Sequence, residues 1–177
     1  MKAITMVAHP DDCVIFAYSF MHHYPQFDWT VCYLTYTKQD SRGAEFAEFW
    51  KRRGVATKFL GYVDDYHDLE TGVCSFDTAQ AAESIKQAIT DQDLVLTHDQ
   101  AGDYGHLHHK FIHSVVANNH THVVTFAGIG QGNVKYIIEP GVYSLDEFPL
   151  HQDIVSSFHQ HAHANEYAVS NRVKNIL

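Results

Sequence analysis

The stretch Ala3-Ile4-Thr5-Met6-Val7, followed at once by Ala8-His9-Pro10-Asp11-Asp12, decides how the chain is read. A short, largely apolar run closed by a turn reads as a buried strand. Residues 14–23 can continue from it as a helix, and residues 29–35, rich in β-branched and aromatic side chains, give a second strand. Residues 45–53 form an amphipathic helix that Gly54 stops, and residues 58–60 a short strand. Residues 79–90 read as a helix capped by Asp77 or Thr78, residues 93–97 as a strand, and residues 106–118 as a helix. Residues 123–127 and 134–138 add two strands around the glycine-rich stretch 128–132. From Pro149 onward the pattern suggests one or two helices carrying His159, His161 and His163.

Strands alternating with helices at this spacing predict an α/β fold. The expectation is a single-domain, Rossmann-like, three-layer arrangement with a mostly parallel sheet and helices on both faces. With no repeat or linker, the domain is expected to span residues 1–177. Ligands of such sheets bind beyond the carboxyl ends of the strands.

Composition narrows the function. The chain has 177 residues, 45% of them hydrophobic, enough for one sizeable core, and this excludes wholesale disorder. A net charge of −9 without any Lys/Arg run argues against a nucleic-acid partner. No apolar stretch is long enough for a membrane span, and the N-terminus turns polar too early for a signal peptide, so a cytoplasmic protein is expected. Cys13, Cys32 and Cys74 are odd in number and scattered, which fits neither a disulfide framework nor a cysteine-based zinc finger. Fifteen histidines are a marked excess of the commonest metal ligand and proton shuttle.

Two clusters could carry chemistry. If the chain turns at Pro10, His9 and Asp12 can converge on one ion while Asp11 points elsewhere. The bland reading is a turn whose Asp caps the next helix. The second cluster is Gly102-Asp103-Tyr104-Gly105-His106-Leu107-His108-His109, after another predicted strand. His106 and His109 are three apart and would share a helix face, with His108 pointing away. Together the clusters offer a His/Asp/His set suited to a divalent metal with an open position.

Ala8-His9-Pro10-Asp11-Asp12, with Gly102-Asp103-Tyr104-Gly105-His106-x-x-His109 downstream, resembles the LmbE/PIG-L family of zinc-dependent de-N-acetylases. Arg42-x-x-Glu45, Arg53-Gly54-Val55 and Phe59-Leu60-Gly61-Tyr62-Val63-Asp64 are similar to that family's central segment. The likeness runs from about Ala3 to Ser114. It implies one Zn²⁺, with Fe²⁺ or Co²⁺ as substitutes, held by His9, Asp12 and His109. Asp11 would be the general base. His106 would stabilise the oxyanion or protonate the leaving amine, with Tyr104 assisting, and Arg42 and Asp64 would bind substrate. The implied substrate is a small N-acetylated sugar or a nucleotide-sugar-like compound.

The chain departs from the family in two places. Cys13 follows the Asp pair where the family has Glu, and His106-Leu107-His108-His109 replaces His-Pro-Asp-His. The second change removes the carboxylate partner expected for His106. Rival readings are a histidine-rich metal-binding module, a member of the fold without turnover, and a hydrolase of non-sugar amides. The sequence is silent on oligomeric state.

Overall fold

The computed structural model describes residues 1–126, 136–159, 166–169 and 172–177. Lys2–Val7 forms strand β1, and a π-helical turn over Cys13–Ala17 runs into helix α1, Tyr18–His23. Strand β2 is Asp28–Thr35, helix α2 Ser41–Lys51, strand β3 Ala56–Tyr62 and the short helix α3 His67–Thr71. Helix α4 is Thr78–Ile89, strand β4 Leu94–Thr97, helix α5 Leu107–Asn119 and strand β5 Val123–Phe126. Beyond these lie β6 (Tyr136–Ile137), α6 (Gln152–His159) and β7 (Glu166–Val169).

The strands form one sheet in the order β3-β2-β1-β4-β5-β7-β6. Ladders among β1 to β5 are parallel, whereas β7 runs antiparallel to β5 and β6. The fold is the expected α/β, mostly parallel arrangement. Burial explains why β1 reads as an apolar run. Alternate side chains point to opposite faces of a strand, so Ala3 and Val7 pack with Phe20, Phe49 and Trp50 of α1 and α2. Ile4, Met6 and Ala8 pack on the other face with Ile85 of α4 and Ile112 of α5.

From β1 the chain builds outward through β2 and β3, then returns to place β4 on the other side of β1. Between β1 and β4 the strand order reverses, and the loops leaving their carboxyl ends part to open a crevice. Both histidine-bearing motifs leave from these two ends.

Three expectations need correction. The helix placed at residues 45–53 starts at Ser41, which puts Arg42 in its first turn. Helix α3 went unread because five residues are too few to show a helical period. Strand β7, an antiparallel partner for β5, was missed as well. Residues 127–135, with the glycine-rich stretch, lie outside the described residues, as do His161, His163 and the side chain of His159. Among the described residues no helix is long and apolar enough to cross a membrane.

Candidate metal centre and active site

The turn after β1 is buried from Ala8 to Asp12. Asp12 Oδ2 accepts the backbone N–H of His9 at 2.8 Å, closing the turn. The amides of Val14 and Ile15 bond to the carbonyl of Asp11, so Pro10-Asp11-Asp12 does launch a helix. Neither carboxylate caps it, however. Asp12 faces three histidines and Asp11 faces an arginine.

Asp12 Oδ2 lies 3.1 Å from His9 Nδ1 and 3.2 Å from His109 Nε2, and these two nitrogens are 3.4 Å apart. A tetrahedral zinc with ligands at 2.0–2.1 Å has ligand–ligand edges of about 3.3 Å. The three donor atoms therefore stand where three corners of such a shell would be. Burial disfavours charge on His9, but the charge and hydrogen bond of Asp12 outweigh it and raise its pKa to about 10. His109 is raised to about 9 against the same burial by Asp12 and Asp103. Asp12, which burial alone would raise, is held well below the usual carboxylate range by the two rings. A cation in this pocket would replace their protons.

Groups behind the triad fix its orientation. Asp103 Oδ2 accepts from His109 Nδ1 at 2.8 Å and from His98 Nδ1, so His109 Nε2 is the nitrogen that faces Asp12. Asp103 adopts φ 61°, a left-handed conformation that Asp tolerates better than most residues. Its amide donates to Asp99 Oδ1 at 2.8 Å, which holds it there. His98 Nε2 accepts the N–H of Ala8 at 3.1 Å. That lone pair is spent, so the Asp12–His98–His109 group, although its atoms are close enough for an ion, is poorer than the set with His9. On the opposite side of the His9 ring, Nε2 lies 3.3 Å from Asp64 Oδ1.

Asp11 pairs with Arg42 Nη2. Burial and the neighbouring Asp12 raise its pKa, opposed by Arg42. Arg42 Nη1 donates to Tyr36 Oη at 2.9 Å, and Tyr36 Oη donates to Asp64 Oδ2 at 3.0 Å. Arg42 thus first serves Asp11, while its Nε is buried without a hydrogen-bond partner. His106 caps α5, its Nδ1 accepting the N–H of His108 at 3.2 Å, which leaves the proton on Nε2. Burial, then His109 and His9, push its pKa down to about 3, so the ring is neutral. It stacks on His109 with centroids 4.6 Å apart. Tyr104 is half-exposed at the mouth, 5.2 Å from the His109 ring. Asp11, Arg42, Asp64, Tyr104 and His106 line a cleft of about 400 Å³, to which α6 contributes Ile154.

His108 corrects the sequence reading. It does not point away but is fully buried, with Nδ1 3.4 Å from His9 Nε2 and Nε2 2.8 Å from Asp68 Oδ2. The helix begins at Leu107 with His106 as its cap, and the His106 and His109 rings lie side by side as expected. Cys13 is the packing residue expected, with Sγ 2.9 Å from the Pro10 carbonyl and 3.1 Å from Tyr33 Oη. Four residues went unread: Tyr36, Asp68, His98 and Asp103. The position of Asp103 in the turn between Gly102 and Gly105 was signal enough to find that one.

The fold is α/β with a mostly parallel sheet, and the sequence places the chain in a family of de-N-acetylases. The model for "PIG-L: GlcNAc-PI de-N-acetylase" matches residues 4–120, and the chain belongs to that family. No curated protein matches the sequence significantly. One similar solved structure is the N,N'-diacetylchitobiose deacetylase of Pyrococcus horikoshii, with TM-score 0.59 and 15% identity over 91% of this chain and 71% of that one. Another is a zinc inhibited form of teicoplanin deacetylase Orf2, with TM-score 0.52 and 15% identity over 71% and 66% of the two chains. A third is the 4-carboxy-2-hydroxymuconate hydratase GalB of Pseudomonas putida, with TM-score 0.51 and 15% identity over 71% of this chain and 65% of that one. At these identities the likeness is one of fold, and the hydratase demonstrates that the fold alone does not dictate deacetylation.

Proposed function

We propose that this chain is a zinc-dependent N-deacetylase that hydrolyses the acetamide of an amino sugar or a related small glycoconjugate. The observation that carries the reading is the convergence of His9 Nδ1, Asp12 Oδ2 and His109 Nε2 at 3.1–3.4 Å, with Asp11 beside them at the cleft. These residues would hold the ion. A bound zinc supplies Lewis acidity toward the amide carbonyl and a lowered pKa for water.

The remaining work falls to side chains. Asp11, buried and raised in pKa, takes the proton of the attacking water, and Arg42 holds its carboxylate in place. His106, neutral with its proton on Nε2, donates a hydrogen bond to the developing oxyanion, and Tyr104 sits beside it. This favours oxyanion stabilisation by His106 over protonation of the leaving amine. Arg42 Nε is a spare donor for a substrate oxygen. Asp64, which lines the same cleft, can accept from a sugar hydroxyl. The similar fold of an N,N'-diacetylchitobiose deacetylase and of a teicoplanin deacetylase supports an N-acetylated sugar or glycoconjugate as the substrate class.

The test is acetate release from a panel of N-acetylated amino sugars and nucleotide sugars. Release should stop on chelation and return with zinc. Stoichiometric zinc binding without acetate from any member of the panel would instead favour the reading without turnover.

A further inference from the structure

A second group of donors lies across the His9 ring from Asp12. His108 Nε2 is 2.8 Å from Asp68 Oδ2, and a ligand atom of Cys74 lies within 4.8 Å of both. They come from α5, from α3 and from the turn after α3, where Gly72 adopts φ 68°. Asp68 and His108 are buried and Cys74 is half-buried. We propose that His108 Nε2, Cys74 Sγ and a carboxylate oxygen of Asp68 form a second transition-metal site, separate from His9, Asp12 and His109, that takes zinc or a similar divalent ion, with solvent completing the shell.

Donor chemistry selects the ion class. A thiolate, an imidazole and a carboxylate suit zinc or cobalt, whereas magnesium and calcium prefer oxygen alone. In the metal-free chain the proton shared between His108 and Asp68 occupies the place of the ion. Binding displaces that proton and the thiol proton of Cys74 to solvent, and no other bond changes. A tetrahedral shell has a nitrogen–sulfur edge of about 3.5 Å. Cys74 sits in a turn, and with the donor atoms within 4.8 Å of one another a closure of at most about 1.3 Å reaches that edge. Ser75 Oγ donates to Asp68 Oδ2 at 3.2 Å, an orienting contact of the kind metal-binding carboxylates use.

The far side of His108 fits as well. An ion on Nε2 leaves the proton on Nδ1, which faces Asp64 Oδ1 at 3.7 Å. The same oxygen is 3.3 Å from His9 Nε2. Asp64 would then stand behind both sites, as Asp103 stands behind His98 and His109. The second site does not depend on the chain being a deacetylase.

Cobalt(II) titration of the metal-stripped full chain under reducing conditions separates the sites. The His9–Asp12–His109 set contains no sulfur, so a near-ultraviolet thiolate-to-cobalt charge-transfer band reports the second site alone. Two equivalents should bind, with the band tracking one of them. Cys74→Ser should lose the band and one equivalent but keep the other, Asp68→Asn should weaken the band's titration at least tenfold, and Asp12→Asn should retain it. The proposal is overturned by saturated wild-type protein without the band, by a band that persists in Cys74→Ser, or by its loss in Asp12→Asn. None of these readings uses turnover, so failure of the deacetylase reading would appear separately, as absence of acetate.

Discussion

Asp11 and Asp12 are adjacent, both buried and both acidic, yet Asp11 faces Arg42 and Asp12 faces three histidines. Their amide variants should therefore fail differently. Asp11→Asn keeps the ligand set and should lower turnover by about 10²- to 10⁴-fold, with zinc content unchanged and no rescue by added zinc. Asp12→Asn should lose zinc and recover in part when zinc is supplied. Metal analysis beside a rate assay distinguishes them, and identical behaviour would sink the division of roles. Asp103→Asn tests the group behind His109. Replacing its doubly accepting oxygen should weaken zinc binding by about 10- to 100-fold, read by competition with a chelator, while the fold is retained. At this scale the sequence was only partly legible. His9, Asp12 and His109 stand in recognisable motifs, but the importance of His98 rests on an amide from Ala8, ninety positions away, which no local pattern encodes. His108 points inward to Asp68, a partner forty positions away that the local spacing does not reveal.

Among the elements, α2 positions the arginine that holds Asp11, and its entry is tight. A Cβ on Gly43 would come within 1.9 Å of the Thr37 carbonyl oxygen, a backbone atom that cannot swing aside. Gly43→Ala should cost about 1–3 kcal/mol of stability through this overlap and should shift Arg42. Thermal unfolding checks the first effect, and a fall in the acetate-release rate larger than that in zinc content checks the second. The strands and the longer helices α4 and α5 were legible because their apolar residues follow the two periods of secondary structure. Of the two caps the sequence offers for α4, Asp77 serves, accepting from Ala79 and Gln80. Helix α3 offers no such pattern, with Leu69 exposed and Asp68 buried, because its inward residue pairs with His108 instead of packing in the core.

Across the whole molecule the buried charges tie stability to pH. His9 and His109 have folded-state pKa values raised to about 10 and about 9, above the ordinary histidine value of 6.5. A raised pKa means that the folded state holds the proton more tightly than the unfolded state does. Their contribution is complete below about pH 6.5 and is lost as pH climbs through 9 to 10. The Tm of the metal-free protein should therefore decline over that window. In the zinc-loaded protein the ion stands in place of those protons, so the decline should vanish. Zinc uptake at neutral pH should also release protons, measurable by calorimetry in buffers of different ionisation enthalpy. A metal-free Tm that is flat from pH 6.5 to 9.5 would contradict the electrostatics of the triad.

The placement of β4 beside β1 also bears on how the site comes into being. His9 and His109 meet across 100 residues of sequence, and the Ala8–His98 bond spans 90. An emerging chain that has completed only β1, β2 and β3 carries the acidic turn with no imidazole from the second motif to face it. Capture of the ion by all three donors must await the β1–β4 ladder, which pairs residues about ninety positions apart, a slow class of event in folding. During refolding from denaturant, the appearance of tight zinc binding should lag behind helix formation and coincide with the closing of that ladder, so the ion serves as a timer for the completion of the fold.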